Sequence, residues 1–192
     1  MINSNYLIII SAPSGAGKTT LCHRLLQDFP GLLIHSISST TRPPRKNELN
    51  GREYNFLSKE EFEKKIEKNE FAEWAQVHGH HYGTTKENIS HAFKEGKSVL
   101  LDIDVQGAES LRRAFPNQNY SIFIAPPNLT ELENRLTKRA TDSQDVIKKR
   151  IQNAKSEMNR INEFDEIIIN DDLDSAYNKL KKIIQKLIVK NE

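Results

Sequence analysis

"YLIIISAPSGAGKTT", residues 6 to 20, decides the fold. The apolar run 6–10 is continuous rather than alternating, which marks a strand covered on both faces. A loop of small residues follows, with Gly15 and Gly17, then Lys18 and Thr19. Leu21, Leu25 and Leu26 then recur at helical spacing until Pro30-Gly31. The layout is strand, loop, helix. The two glycines let backbone N–H groups turn inward around an anion. The new helix points its unbonded N–H groups and the positive end of its dipole at the same place. In this pattern the lysine reaches the β and γ phosphates of a nucleotide, and the hydroxyl of Thr19 serves a Mg²⁺ ion. The strict pattern opens on Gly; here Ala12 stands there, which a negative φ accommodates.

Further buried strands are expected at 98–104 ("SVLLDID"), 120–125 ("YSIFIA") and 166–170 ("EIIIN"), with a weaker one at 32–38. Between them lie helical patterns. "SKEEFEKKIEKN" opens with Ser58 and Glu61 at capping-box spacing. "TTKENISHAFKEG" closes on Gly96, suited to a C-terminal cap. "NLTELENRLTKR" follows Pro126-Pro127, and 143–161 and 173–189 carry apolar residues at helical spacing. Strands alternating with helices predict an α/β fold. Residues 38–84 and 126–160 fit the alternation poorly and read as insertions over the carboxyl end of the sheet, where ligands sit in such folds.

The 192 residues suffice for one sizeable core. A net charge of +2, from 28 basic and 26 acidic residues, gives no global nucleic-acid footprint. The single cysteine, Cys22, excludes an internal disulfide and fits a reducing, cytoplasmic setting. The N-terminal apolar run is too short to span a bilayer, so no membrane partner is expected.

A second anion site is legible in "SISSTTRPPRKNELNGREYNF", 36–56. Pro43-Pro44 stiffens the backbone and disfavours helix. It holds Arg42 and Arg45 on a loop as two guanidinium forks suited to a doubly charged phosphate. Tyr54 can donate to the same group. Alone, Arg-Pro-Pro-Arg-Lys reads as a solvated loop; downstream of a phosphate loop it reads as the acceptor's anchor. His78, His80 and His81 lack metal-ligand spacing and read as a surface loop beside Tyr82.

Together "SAPSGAGKTT", "SSTTRPPR", "NGREYNF", "EFAEWAQVHGHHYGT", "LLDIDVQG" and "FIAPP" resemble the guanylate kinase family in its bacterial soluble form, over essentially the whole chain. The resemblance implies one P-loop nucleoside-triphosphate-hydrolase-like domain, a parallel sheet flanked by helices. Its core would be 1–37, 85–125 and 161–192, with a GMP-binding segment at 38–84 and a helical lid at 126–160. It implies the reaction of ATP with GMP to give ADP and GDP, with Mg²⁺; no residue visibly reads a 2′-hydroxyl, so dGMP is expected as a further acceptor. Ser11, Ala12, Pro13, Ser14, Gly15, Ala16, Gly17, Lys18, Thr19, Thr20 and Arg135 would hold ATP. Arg42, Arg45, Tyr54 and Tyr82 would hold the GMP phosphate. Ser38, Glu73, Thr84 and Asp104 would face the guanine; many relatives have Ser where Thr84 stands, and both carry a hydroxyl. Lys18, Arg42, Arg45, Arg139 and Arg150 would stabilise the transferring group. Thr19 and Asp102 would serve Mg²⁺.

The chemistry of guanine agrees with that assignment. Its Watson–Crick edge has two adjacent donors, N1–H and the 2-amino group, which carboxylates such as Glu73 and Asp104 accept. A hydroxyl such as Ser38 donates to O6. Adenine offers a bare N1 and no 2-amino group, and a site left with unpaired polar groups rejects the wrong ligand by about 10⁴ or more. Asp102 and Asp104, two apart at the end of an expected strand, would share one face; Asp104 alternatively caps a helix beginning near Gly107. Scaffold domains of the same family bind peptides and have lost ATP chemistry. The intact phosphate loop and lid arginines favour an enzyme here, and the guanine-facing residues argue against another small acceptor.

Overall fold

The computed structural model describes residues 5–77, 79–138 and 143–189. Its elements run β1 (Leu7–Ser11), α1 (Lys18–Asp28), β2 (Leu33–His35), β3 (Ser39–Thr40), β4 (Asn55–Phe56), α2 (Lys59–Glu67), β5 (Phe71–Val77), β6 (His80–Thr85), α3 (Lys86–Lys94), β7 (Ser98–Asp102) and α4 (Val105–Ala114). They continue with β8 (Asn119–Ala125), α5 (Leu129–Lys138), α6 (Gln144–Met158), a 3₁₀ turn (Ile161–Glu163), β9 (Glu166–Ile169) and α7 (Leu173–Ile188).

Five parallel strands form the main sheet in the order β2-β7-β1-β8-β9. β1 lies at its centre, and all five of its residues are buried. Successive side chains of a strand point to opposite faces. Ile8 and Ile10 therefore join Leu21 and Leu25 of α1 and Leu180 and Ile184 of α7 in one apolar layer. Leu7 and Ile9 join Ile89 of α3 and Ala108 and Leu111 of α4 in the other. Each fully buried Leu or Ile side chain contributes roughly 1.5–3 kcal/mol, which is why such continuous apolar runs exist.

The stretch 38–84 has a sheet of its own. It builds a second, four-stranded sheet, β4-β3-β6-β5, with β3 and β4 parallel and the other pairs antiparallel. Two of its strands have two residues each, too short for any periodicity to register. His80 and His81 begin β6 rather than a surface loop, and the His81 ring stacks on Phe62 at 5.3 Å between centroids; His78 lies outside the described residues. The expected helix starts hold up: Ser58 and Glu61 form a reciprocal capping box on α2. Gly96 follows α3 with φ 73°, a left-handed conformation that favours glycine. A third small cluster, Leu132, Leu136 and Ala154, packs α5 against α6.

Strand β7 ends at Asp102, two residues short of the expected run. Asp104 is instead the N-cap of α4, its carboxylate accepting from Gly107 N at 2.8 Å. The two aspartates are therefore not a strand pair. Among the described residues, no helix is long and apolar enough to cross a membrane.

Candidate active site

The carboxyl ends of β1, β2 and β7 open into two neighbouring cavities. The first, about 340 Å³, lies against the glycine loop and is lined by Ala12, Pro13, Ser14, Gly15, Gly17, Lys18, Thr19 and Thr20, with Asp104 and Glu157 opposite. Ser11 and Ala16 are buried behind it. Gly15 and Gly17 have φ 98° and 95°, which other residues rarely adopt. Gly17 caps α1 without any side-chain acceptor, so the first N–H groups of that helix are left for the cavity. The Lys18 ammonium donates to Ile103 O at 3.2 Å.

The loop is clamped from β9. Asn170, 3% exposed, donates its amide to Ala16 O at 2.7 Å. A Cβ on Gly17 would come within 2.3 Å of that amide nitrogen, so glycine is required twice over. Arg135 does not line the first cavity. Its guanidinium donates to Asn170 O at 2.9 Å and Asp171 O at 3.3 Å, beside a third opening bordered by Gly15, Gly17 and Lys138. Arg150 reaches Ser14 Oγ at 3.3 Å. Arg139 lies outside the described residues.

The second cavity, about 290 Å³, sits between the two sheets and is lined by His35, Ser36, Ser38, Tyr54, Glu73, Tyr82, Asp102 and Asp104 among others. Ser38 Oγ lies 3.5 Å from Thr84 Oγ1, and Thr84 pairs with Glu73 across β5 and β6. A register shift between Phe71 and Glu73 lets both of those residues be buried; such bulges re-aim side chains beside sites. Burial pushes the Glu73 carboxyl up to about 7, with the Thr84 hydroxyl opposing and the Asp104 charge adding. Asp102 receives a hydrogen bond from His35 at 3.1 Å. Burial works against its ionisation, but His35 and the Lys18 charge outweigh burial and hold its pKa below the ordinary carboxylate value.

At the rim, Tyr54 and Tyr82 meet edge to face at 5.9 Å, and the Arg42 guanidinium lies over the Tyr54 ring at 5.5 Å. Arg45 is exposed on the same loop. Asp104 borders both cavities, so whatever fills one abuts whatever fills the other.

Several site-forming residues carried no signal that a motif reading weighs. Glu157 is one: it sits in the last turn of α6, its Oε2 is buried without a partner, and burial, reinforced by Asp104, pushes it up to about 7. Gly107 is another. A Cβ there would lie 3.3 Å from both Glu73 Oε2 and Asp104 Oδ1, so glycine permits the two carboxylates to approach α4 together. Asn170 ends the run "EIIIN", whose signal lies in its apolar residues.

A guanylate kinase family model matches residues 4–187. A guanylate kinase of Maricaulis maris is 47% identical over 178 residues, covering 93% of this chain and 81% of the relative. One from Prochlorococcus marinus is 46% identical over 185 residues, 96% of this chain and all of the relative. The chain belongs to the guanylate kinase family. The crystal structure of guanylate kinase from Anaplasma phagocytophilum superposes with a TM-score of 0.76 at 28% identity, over all of this chain and 90% of that one. The guanylate kinase likeness therefore extends across both sheets and the helices between them.

Proposed function

We propose that this protein transfers the γ-phosphoryl group of ATP to GMP, giving ADP and GDP, and accepts dGMP as well. The observation that carries this reading is the pair of cavities sharing Asp104: a phosphate loop on one side, a carboxylate-lined base pocket with an arginine rim on the other. In this reading 38–84 is the acceptor-binding segment, 126–160 the lid, and the rest the core.

Guanine enters between the sheets with N1–H and the 2-amino group toward Glu73, and with Ser38, Thr84 and Asp104 completing its polar contacts. Arg42, Arg45, Tyr54 and Tyr82 take the monophosphate. The triphosphate lies along Ser11–Thr20, with Arg135 toward the nucleoside end. Lys18, Arg139 and Arg150, with Arg42 and Arg45, offset the charge spread over the transferring group. Catalysis of this kind is positioning and electrostatic stabilisation. The acceptor oxygen is already anionic at neutral pH, because a phosphate monoester loses its second proton near about pH 6; no general base is needed.

The residues present suit Mg²⁺. The first cavity offers only oxygen donors besides the lysine, as a hard cation prefers. They include the Thr19 hydroxyl and the orphaned Glu157 Oε2, and Asp102 stands ionised on the adjoining wall. When bound, the ion neutralises phosphate charge. Thr19 and Asp102 would hold it. Purine nucleotide metabolism in the cytoplasm is the setting this reaction implies.

Release of ADP from Mg·ATP in the presence of GMP, dGMP, AMP, CMP or UMP tests the reading. Turnover with the two guanine nucleotides alone is expected. Turnover with no acceptor, in protein that still binds GMP, would leave a binding module.

A further inference from the structure

Glu48 has no role in the transfer as described. It stands three residues after Arg45, and its carboxylate gathers the arginine loop. Both of its oxygens accept from Arg42 Nη2, each at 3.0 Å, and Oε2 also accepts from the Arg45 backbone N–H at 2.7 Å. The Arg42 and Glu48 side chains are only 13% and 17% exposed. A further bond from Arg42 Nη1 to Pro43 O, 2.8 Å, fixes the plane of the guanidinium. That plane lies over Tyr54 and Phe56, at 5.5 and 5.9 Å to the ring centroids. Glu48 and Pro43 take part of the guanidinium fork, and the Tyr82 hydroxyl shares it at the rim.

We propose that Glu48 is the positioning residue of the phosphate-accepting rim: it holds the Arg42 head group and the Arg45 backbone in receiving geometry for a nucleoside monophosphate before that ligand arrives. The proposal rests on the reading of Arg42 and Arg45 as the acceptor's phosphate anchors. An unrestrained arginine side chain loses rotamer freedom when it binds. One already ordered by an internal partner has less left to lose, which is how preorganisation raises affinity. Glu48 also anchors the loop from within: it takes a backbone donor as well as a side-chain one, so it restrains the segment 42–48 and not only the arginine head.

The test is calorimetric titration of GMP and of guanosine, which lacks the phosphate, into the full chain, E48Q, R42Q and the double variant. Guanosine binding also reports that the base pocket is folded. In E48Q the GMP affinity is expected to fall about tenfold while guanosine stays within about twofold. In the R42Q background the same change costs clearly less than in the parent, since only the hold on the Arg45 backbone is left to lose. If E48Q does not fold, E48D keeps the charge but falls one methylene short, and a severalfold loss confined to GMP is expected. A normal GMP-to-guanosine ratio in E48Q, with that ratio collapsed in R42Q, overturns the role of Glu48 and leaves the anchor reading standing. Tighter GMP binding in E48Q also overturns it, by making Glu48 a competitor of the phosphate. An unchanged ratio in R42Q overturns the anchor reading, and the proposal with it.

Discussion

Glu73 carries the sharpest single-residue consequence. Burial raises its carboxyl from 4.5 to about 7, so the native state prefers the neutral form. Stability from that proton is complete below about pH 4.5 and is lost as pH rises through about 7, by at most on the order of 3 kcal/mol. Guanine needs the opposite form, because its two donors require an acceptor-only carboxylate. Guanosine has no phosphate to titrate. Its affinity should therefore rise through pH 7 and level off above it, and weaken toward tenfold per pH unit well below. Glu73→Gln should flatten that profile, weaken guanosine binding by about 10² or more, and raise the melting temperature at pH 8 relative to the parent. Equal melting temperatures at pH 8 would mean the carboxyl is not held near 7. In the sequence Glu73 was visible only through a family resemblance: "EFAEWA" by itself looks like an exposed edge. The bulge that buries it is a pairing event between β5 and β6.

At the scale of elements, the glycine loop is a junction of three parts: strand β1, helix α1 and the end of β9. Its consequence is tested at Gly17, where φ 95° and the Asn170 amide both exclude a side chain. Gly17→Ala should cost about 1–2 kcal/mol from the left-handed backbone alone and move the loop off Asn170. ATP affinity should fall by at least tenfold while guanosine affinity, set by the other cavity, is retained; loss of both would point to general unfolding. The loop and helix were legible in residues 6–20 because glycine placement and apolar continuity are local signals. The Asn170 clamp was not, since 154 residues separate its amide from the carbonyl it holds.

For the whole molecule, three basic groups of the described site are held by internal partners. Arg42 is paired with Glu48, Arg135 with backbone carbonyls past β9, and Lys18 with Ile103 O. Phosphoryl transfer requires the groups of the acceptor segment and of the lid to converge on one phosphorus atom. Binding both nucleotides is therefore expected to close the two insertions over the core. Small-angle scattering with a bisubstrate analogue should show a smaller radius of gyration than the free protein, and identical profiles would sink the idea. Breaks in strand–helix alternation mark 38–84 and 126–160 in the sequence as expected insertions. That the first insertion is itself a sheet was not readable there, because two-residue strands exist only by virtue of their neighbours.

Sequence alone determined the central parallel sheet, its covering helices and the phosphate loop. Each is set by residues within one turn or one strand of each other, where periodicity, glycine and capping act locally. It determined the residue types of the base pocket only through resemblance to relatives. Tertiary structure decided which carboxylate is buried, which amide clamps the glycine loop and which strands form the second sheet. Those outcomes depend on burial and on partners distant in the chain. Asp104 shows the division: two residues from Asp102 in the sequence, it leaves the strand, caps α4, and stands where the two cavities meet.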